Sequence, residues 1–202
     1  MIKALKMKNY SFCIFGFIIF ISCTTNSTPK QIGTNDTSPT LNNRSDTCEG
    51  FFNKFPTTFE DFNRLYGYDE TKGEGLLYKS YEKEINYFFS CTGIADSVKL
   101  QKCINICKTG AWDADAVSMF QYYTLQMVGR NPNLAVNILR QLPDKEISGF
   151  WHFLFDGPHP ADSAVQRSFE SLYKEIKSFD TAMAEIMKGE YSKLKKSDDH
   201  GH

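Results

Sequence analysis

The chain has 202 residues, 41% hydrophobic and 23% charged, with a formal net charge of −1. That balance excludes the strongly basic footprint of a nucleic-acid-binding protein, so no nucleic-acid partner is expected. Once a leader and a polar spacer are set aside, roughly 150 residues remain, enough for one domain to bury a core without help from a metal.

Residues 1–22 read as a leader. Lys3, Lys6 and Lys8 form a positive start. The run from Ser11 to Ile21 is apolar apart from Ser11 itself and Gly16. It is too short for a stable membrane-spanning helix and has the length of a signal-peptide apolar region. The run ends Phe20-Ile21-Ser22-Cys23. This resembles the lipobox of bacterial lipoproteins, with an apolar residue at −3, a small one at −1 and cysteine at +1. The resemblance covers residues 1–23 alone. It implies that the leader is cut before Cys23 and that the Cys23 thiol becomes a diacylglyceryl thioether, a lipid anchor in the bacterial envelope. Losing three lysines with the leader takes the formal charge from −1 to −4. In lipoproteins the residues after that cysteine influence sorting, so the resemblance, with Thr24 in that position and no acidic run following, implies the outer membrane facing the periplasm.

Between Thr24 and Thr47, fourteen of the 24 residues are Ser, Thr or Asn, and Ile32 and Leu41 are the large apolar ones. Nothing there offsets an ordering entropy of about 1–2 kcal/mol per residue, so 23–47 is expected to be a lipidated cysteine followed by a disordered tether. The helical domain is then 48–190.

From Phe55 onward apolar residues recur at three and four, the period of a helix. Thr58 caps a helix carrying Phe59, Phe62, Leu65 and Tyr66, stopped near Gly67. Leu77, Tyr81, Ile85 and Phe88 line a second, ending near Cys91 and Gly93. Asp96 opens a third, with Leu100, Cys103, Ile104 and Cys107 on one face. Asp113 or Asp115 starts a fourth, its stripe made by Trp112, Ala116, Met119, Phe120, Tyr123 and Met127. Asn131-Pro132 opens a fifth, with proline at the first helical position. Pro143-Asp144 opens a sixth, carrying Ile147, Phe150, Trp151 and Leu154 up to Gly157-Pro158. No stretch alternates over five residues. The fold class is all-α: a bundle of about six or seven antiparallel helices, in shape like a helical repeat, closed by a long C-terminal helix.

That last helix has its own pattern. Val165, Phe169, Leu172, Ile176, Phe179, Met183 and Ile186 are spaced by alternating fours and threes, a heptad seam on one helix of about 27 residues, roughly 40 Å long. It predicts either a helix lying across the shorter ones or a homodimer seam. Residues 191–202 are expected to be a charged, frayed tail containing His200 and His202.

With Cys13 cleaved and Cys23 lipidated, Cys48, Cys91, Cys103 and Cys107 remain in an oxidising compartment. Cys103 and Cys107 stand at i and i+4 on one helix, so two bridges are expected, each joining one of this pair to Cys48 or Cys91. Buried reduced thiols are the alternative. No metal is expected on them, since no further ligands stand at a usual spacing.

The residues that invite chemistry are Trp112, Asp113, Asp115, Trp151, His152, Asp156 and His159. Two carboxylates and two imidazoles, Asp113, Asp115, His152 and His159, would serve an envelope hydrolase if the fold gathered them. Each also has a bland role: Asp113 and Asp115 as helix caps, and His152 with Asp156 as a surface pair at i,i+4. The surplus aromatics, among them Phe51, Tyr68, Tyr78, Tyr87 and Tyr122, suit a protein contact site. The sequence therefore points to an anchored, non-catalytic helical binding module without cofactor. Its protein partner is a toxin, for an immunity-type protein, or an envelope complex.

Overall fold

The computed structural model describes residues 47–157 and 159–198. The leader, Cys23, the tether as far as 46, Pro158, His200 and His202 lie outside them. Within the described residues the chain is all-α: nine helices and one two-stranded hairpin.

Helix α1 (Cys48–Lys54) begins at Thr47, whose hydroxyl accepts from Gly50 N at 3.2 Å. It is an element the periodicity missed, being only two turns long. Helix α2 (Phe59–Tyr66) starts where read, with Thr58 Oγ1 accepting from Asp61 N and Gly67 at its end. A hairpin then intervenes, β1 (Tyr68–Asp69) antiparallel to β2 (Gly73–Glu74), its strands too short to show alternation. A 3-10 turn (Tyr78–Ser80) leads into α3 (Tyr81–Ser90). Then follow α4 (Asp96–Cys107), α5 (Ala116–Arg130), α6 (Pro132–Leu139) and α7 (Asp144–Phe155). The chain ends with α8 (Ser163–Lys177) and α9 (Thr181–Asp198). The start of α6 at Pro132 is what a proline without an N–H favours.

Helix α7 occupies the interior. Ile147, Phe150, Trp151, Phe153, Leu154 and Phe155 are all buried, more than one stripe supplies, and the helix packs on α4, α5 and α9. A second apolar centre is aromatic: Phe55 lies 4.2 Å from Phe88 and Phe62 lies 4.8 Å from Phe120, centroid to centroid. Fully burying one such ring contributes about 2–3 kcal/mol.

The single 27-residue C-terminal helix is corrected. The chain turns at 178–180 between α8 and α9, which pack against one another. Ser178 Oγ donates to Glu175 O, and Asp180 Oδ1 accepts from Met183 N at 3.0 Å, capping α9. Asp180 Oδ2 also takes Arg140 Nε at 2.9 Å and Nη2 at 2.8 Å, a two-pronged pair that pins the turn. Phe169, Leu172, Ile176 and Met183 of the seam are buried within the chain, so those positions are already used. The charged tail is corrected too. Helix α9 runs through 191–198, with Tyr191 and Leu194 buried and Tyr191 stacked on Phe169 at 4.2 Å.

The disulfide pairing differs from expectation. Cys48 and Cys91 are bonded to each other, their Cα atoms 5.4 Å apart, while Cys103 and Cys107 are free and fully buried. The start of α1 and the end of α3 meet because these helices pack together. The other two thiols face the core, where the buried Thr124 hydroxyl of α5 sits against them. Burial pushes the Cys103 thiol up to about 12 and that of Cys107 well above its usual range, which disfavours the thiolate at both.

Candidate functional site

The site builds up around the hairpin. Asp69 Oδ1 accepts from Thr71 N at 2.8 Å, Thr71 Oγ1 at 2.6 Å and Lys72 N at 2.9 Å, folding the turn on one carboxylate. Those bonds hold the Asp69 carboxyl down at about 2, the Thr71 hydroxyl contributing most. Gly73, at φ +82°, supplies the left-handed residue that the turn needs. Past β2, Gly75 N donates to Gly67 O at 2.8 Å and Leu77 N to Leu65 O at 2.7 Å. A Cβ at Gly75 would stand 2.6 Å from Leu65 O, so the return strand lies directly on the last turn of α2.

This clamped hairpin raises two large apolar side chains into solvent: Tyr68 is 54% exposed and Leu76 67%. Tyr68 begins a line of phenol rings. Its centroid is 6.2 Å from that of Tyr78, which is 6.1 Å from that of Tyr81. An open cleft of about 520 Å³ lies beside the hairpin, lined among others by Asn63, Arg64, Tyr68, Lys72, Glu74 and Thr109.

Asp115 closes the line of tyrosines. The Tyr78 hydroxyl donates to its carboxylate, a bond that pushes Tyr78 up to about 12. Asp115 has φ 54° and ψ −111°, and it is the one non-glycine residue with positive φ among the described residues. Such a conformation costs about 1–3 kcal/mol and persists where neighbours over-determine it. Those neighbours are identifiable. Trp112 N donates to Asp156 Oδ2 at 3.3 Å, Trp112 Nε1 to Ser118 Oγ at 3.1 Å, and Ser118 Oγ to Asp113 O at 3.3 Å. Gln121 Nε2 ties the loop's base to Asp156 O at 2.6 Å and also reaches Phe153 O.

The residues singled out in the sequence therefore divide. Trp112, Asp113, Asp115 and Asp156 belong to one loop system, as its frame and its tip. Asp115 stands at the N-cap position of α5 as expected, its carbonyl accepting from Met119 N at 3.0 Å, but its side chain makes no capping bond; Asp113, whose Oδ1 accepts from Ala114 N at 2.7 Å, is corrected as a cap. Trp151 is corrected as a binding candidate: it is fully buried, its Nε1 donating to Met183 Sδ at 3.2 Å. His152 and Asp156 do not pair. His152 Nδ1 lies 3.5 Å from Glu190 Oε2, which α9 supplies, and Glu190 also takes Lys193. His159 is exposed, its carbonyl accepting from Asp162 N.

Of the side chains of the hydrolase alternative, Asp113 takes Ala114 N, Asp115 takes the Tyr78 hydroxyl and His152 faces Glu190. No group of three or more His, Cys, Asp or Glu among the described residues is arranged to hold a metal. Tyr81 packs against the core from the first turn of α3, as its place in the helix stripe implied, and is only partly buried there. Phe52, Tyr66, Phe153 and Phe155 are buried, leaving Tyr68, Tyr87 and Tyr122 as the exposed members of the surplus aromatics. The chain matches no known family model, no curated protein and no solved structure.

Proposed function

We propose that the protein is a non-catalytic binding module held at the bacterial cell envelope by a lipid on Cys23, with the hairpin end of the helical domain as its contact face. The observation that carries the reading is the exposure of Tyr68 and Leu76 on a hairpin clamped to α2, beside the Tyr78–Tyr81 line. Large apolar side chains displayed on a pre-organised frame are the usual makings of a contact site, because little order remains to be lost on binding. The Cys48–Cys91 bridge supports an oxidising compartment. The lipobox-like Phe20-Ile21-Ser22-Cys23 supports the anchor. Two or three acyl chains give firm attachment where one gives only marginal binding. No helix among the described residues is long and apolar enough to cross a membrane, so the anchor reading rests on Cys23.

In its most specific form, the reading is an immunity-type protein that occludes an incoming toxin; an accessory subunit of an envelope complex is the second form. Both are tested in the native envelope. A photo-crosslinking amino acid in place of Leu76 is expected to give a discrete adduct, and the same amino acid in place of Ser192 none. Cys23→Ser is expected to release the protein from the membrane fraction. Failure to form any adduct from position 76 overturns the contact face, and continued membrane fractionation of the Cys23→Ser chain overturns the anchor.

A further inference from the structure

We propose that the line Tyr68–Tyr78–Tyr81, bordered by Glu74, Glu82 and Asp115, receives the lysine and arginine side chains of a cationic segment of a protein partner. This rests on the binding-module reading and names the chemistry of its partner.

The fold builds the same receptor elsewhere and fills it itself. On α8 and α9, the Tyr173 hydroxyl donates to Glu185 Oε1 at 2.7 Å. Two lysines seat on that pair. Lys177 Nζ is 5.1 Å from the Tyr173 ring centroid and donates to its hydroxyl at 2.9 Å, and Lys188 Nζ stands 5.9 Å from the same ring. The cations are held by the negative face of the ring and by the carboxylate together. Tyr78 and Asp115 repeat the phenol–carboxylate bond on the hairpin surface, with two further rings in line. The lysines seated on rings among the described residues lie on Phe52, Tyr173 and Tyr191.

Charge sets the sign of the partner. The charged groups acting on Tyr78 and Tyr81 are Asp115, Glu74 and Glu82, all carboxylates. Lys72 is paired with Asp69 at 3.8 Å, and Lys79 is paired with Glu74 at 3.4 Å and offsets it, so Glu82 and Asp115 carry the negative charge of the surface. An acidic segment would meet like charge here, and so would the same face of a second copy of this chain. Tyr78 lies about 6 Å from Tyr68 and from Tyr81, centroid to centroid, close to the spacing of alternate residues on an extended strand, roughly 6.5 Å. Basic residues at every second position therefore fit.

The test uses the full chain in mild detergent and two labelled probes, a peptide alternating arginine with glycine and one alternating aspartate with glycine. Saturable binding of the arginine peptide is expected, weakening at least tenfold between low and physiological salt. Glu74→Gln/Glu82→Gln/Asp115→Asn is expected to weaken it at least tenfold, and Tyr68→Ala/Tyr81→Ala about as much with the charges intact. The remote pair Glu170→Gln/Glu175→Gln should change it less than twofold. Equal binding of the two peptides, or equal loss in the remote variant, overturns the proposal. In the native envelope, an excess of the arginine peptide should suppress the adduct formed from position 76. An adduct that survives both the peptide and the triple substitution overturns the cationic partner while leaving the contact face standing.

Discussion

Glu84 is a carboxylic acid that the fold buries. It sits on α3 with Ser80 Oγ 3.4 Å from its Oε1, and its Oε2 has no hydrogen-bond partner. Tyr66, also buried, faces it. Burial raises the Glu84 carboxyl above its ordinary range, outweighing Ser80, Lys83 and Tyr66. A folded-state value raised above the unfolded one means that the contribution of this group is fully present below about pH 4.3 and is lost as pH rises through the folded value. Glu84→Gln cannot ionise. It should therefore stabilise the protein at pH 7 by on the order of 1 kcal/mol, the scale of one unpartnered buried oxygen, and the gain should vanish near pH 4. Urea denaturation at the two pH values decides it, and a gain that is equal at both would rule out ionisation as the cause.

At the scale of elements, a glycine decides how two helices meet. Gly149 lies in the middle of α7, where a Cβ would fall 2.2 Å from the backbone oxygen of Lys108 at the end of α4. A Cβ at Gly110 would likewise meet the Phe153 ring at 2.6 Å. Helix propensity alone favours Gly149→Ala by about 1 kcal/mol. The clash is with main chain rather than a side chain that can swing away, so overpacking should prevail, for a net loss of about 2 kcal/mol. A rise in thermal midpoint for this variant would show that the α4–α7 contact gives way easily. The boundary between α8 and α9 teaches the converse. The apolar spacing from Val165 to Ile186 continues through the break, because the residues on both sides of the turn at Ser178-Phe179-Asp180 face the same core. Asp180 three residues before Met183 was the available sign, since a short acidic side chain at that offset is a helix cap.

For the whole molecule, the Cys48–Cys91 bond closes a 43-residue span containing α1, α2, the hairpin and α3. Loop-closure entropy for that length corresponds to about 4 kcal/mol on the chain-entropy model. Cys48→Ser/Cys91→Ser should lose most of that in chemical denaturation. Lys99 and Lys102 limit the damage to the native fold: Lys99 Nζ donates to Cys91 O at 2.8 Å, and Lys102 Nζ to Phe55 O at 2.9 Å and to Phe52 O. The variant should thus keep its helical content while its midpoint falls; loss of helicity in water would mean that the bridge is needed to form the fold at all.

The helical class and the starts of α2, α4, α6 and α7 were legible in the residues themselves, because period, cap and breaker are local quantities that neighbours in the chain determine. The partners of Cys48, the burial of Trp151, the separation of His152 from Asp156 and the assembly of Tyr68, Tyr78, Tyr81 and Asp115 were decided only in three dimensions. Each depends on which helices pack together, and packing chooses among many near-equal apolar faces by shape and by the few polar groups that must find partners. One-dimensional spacing does not record that choice.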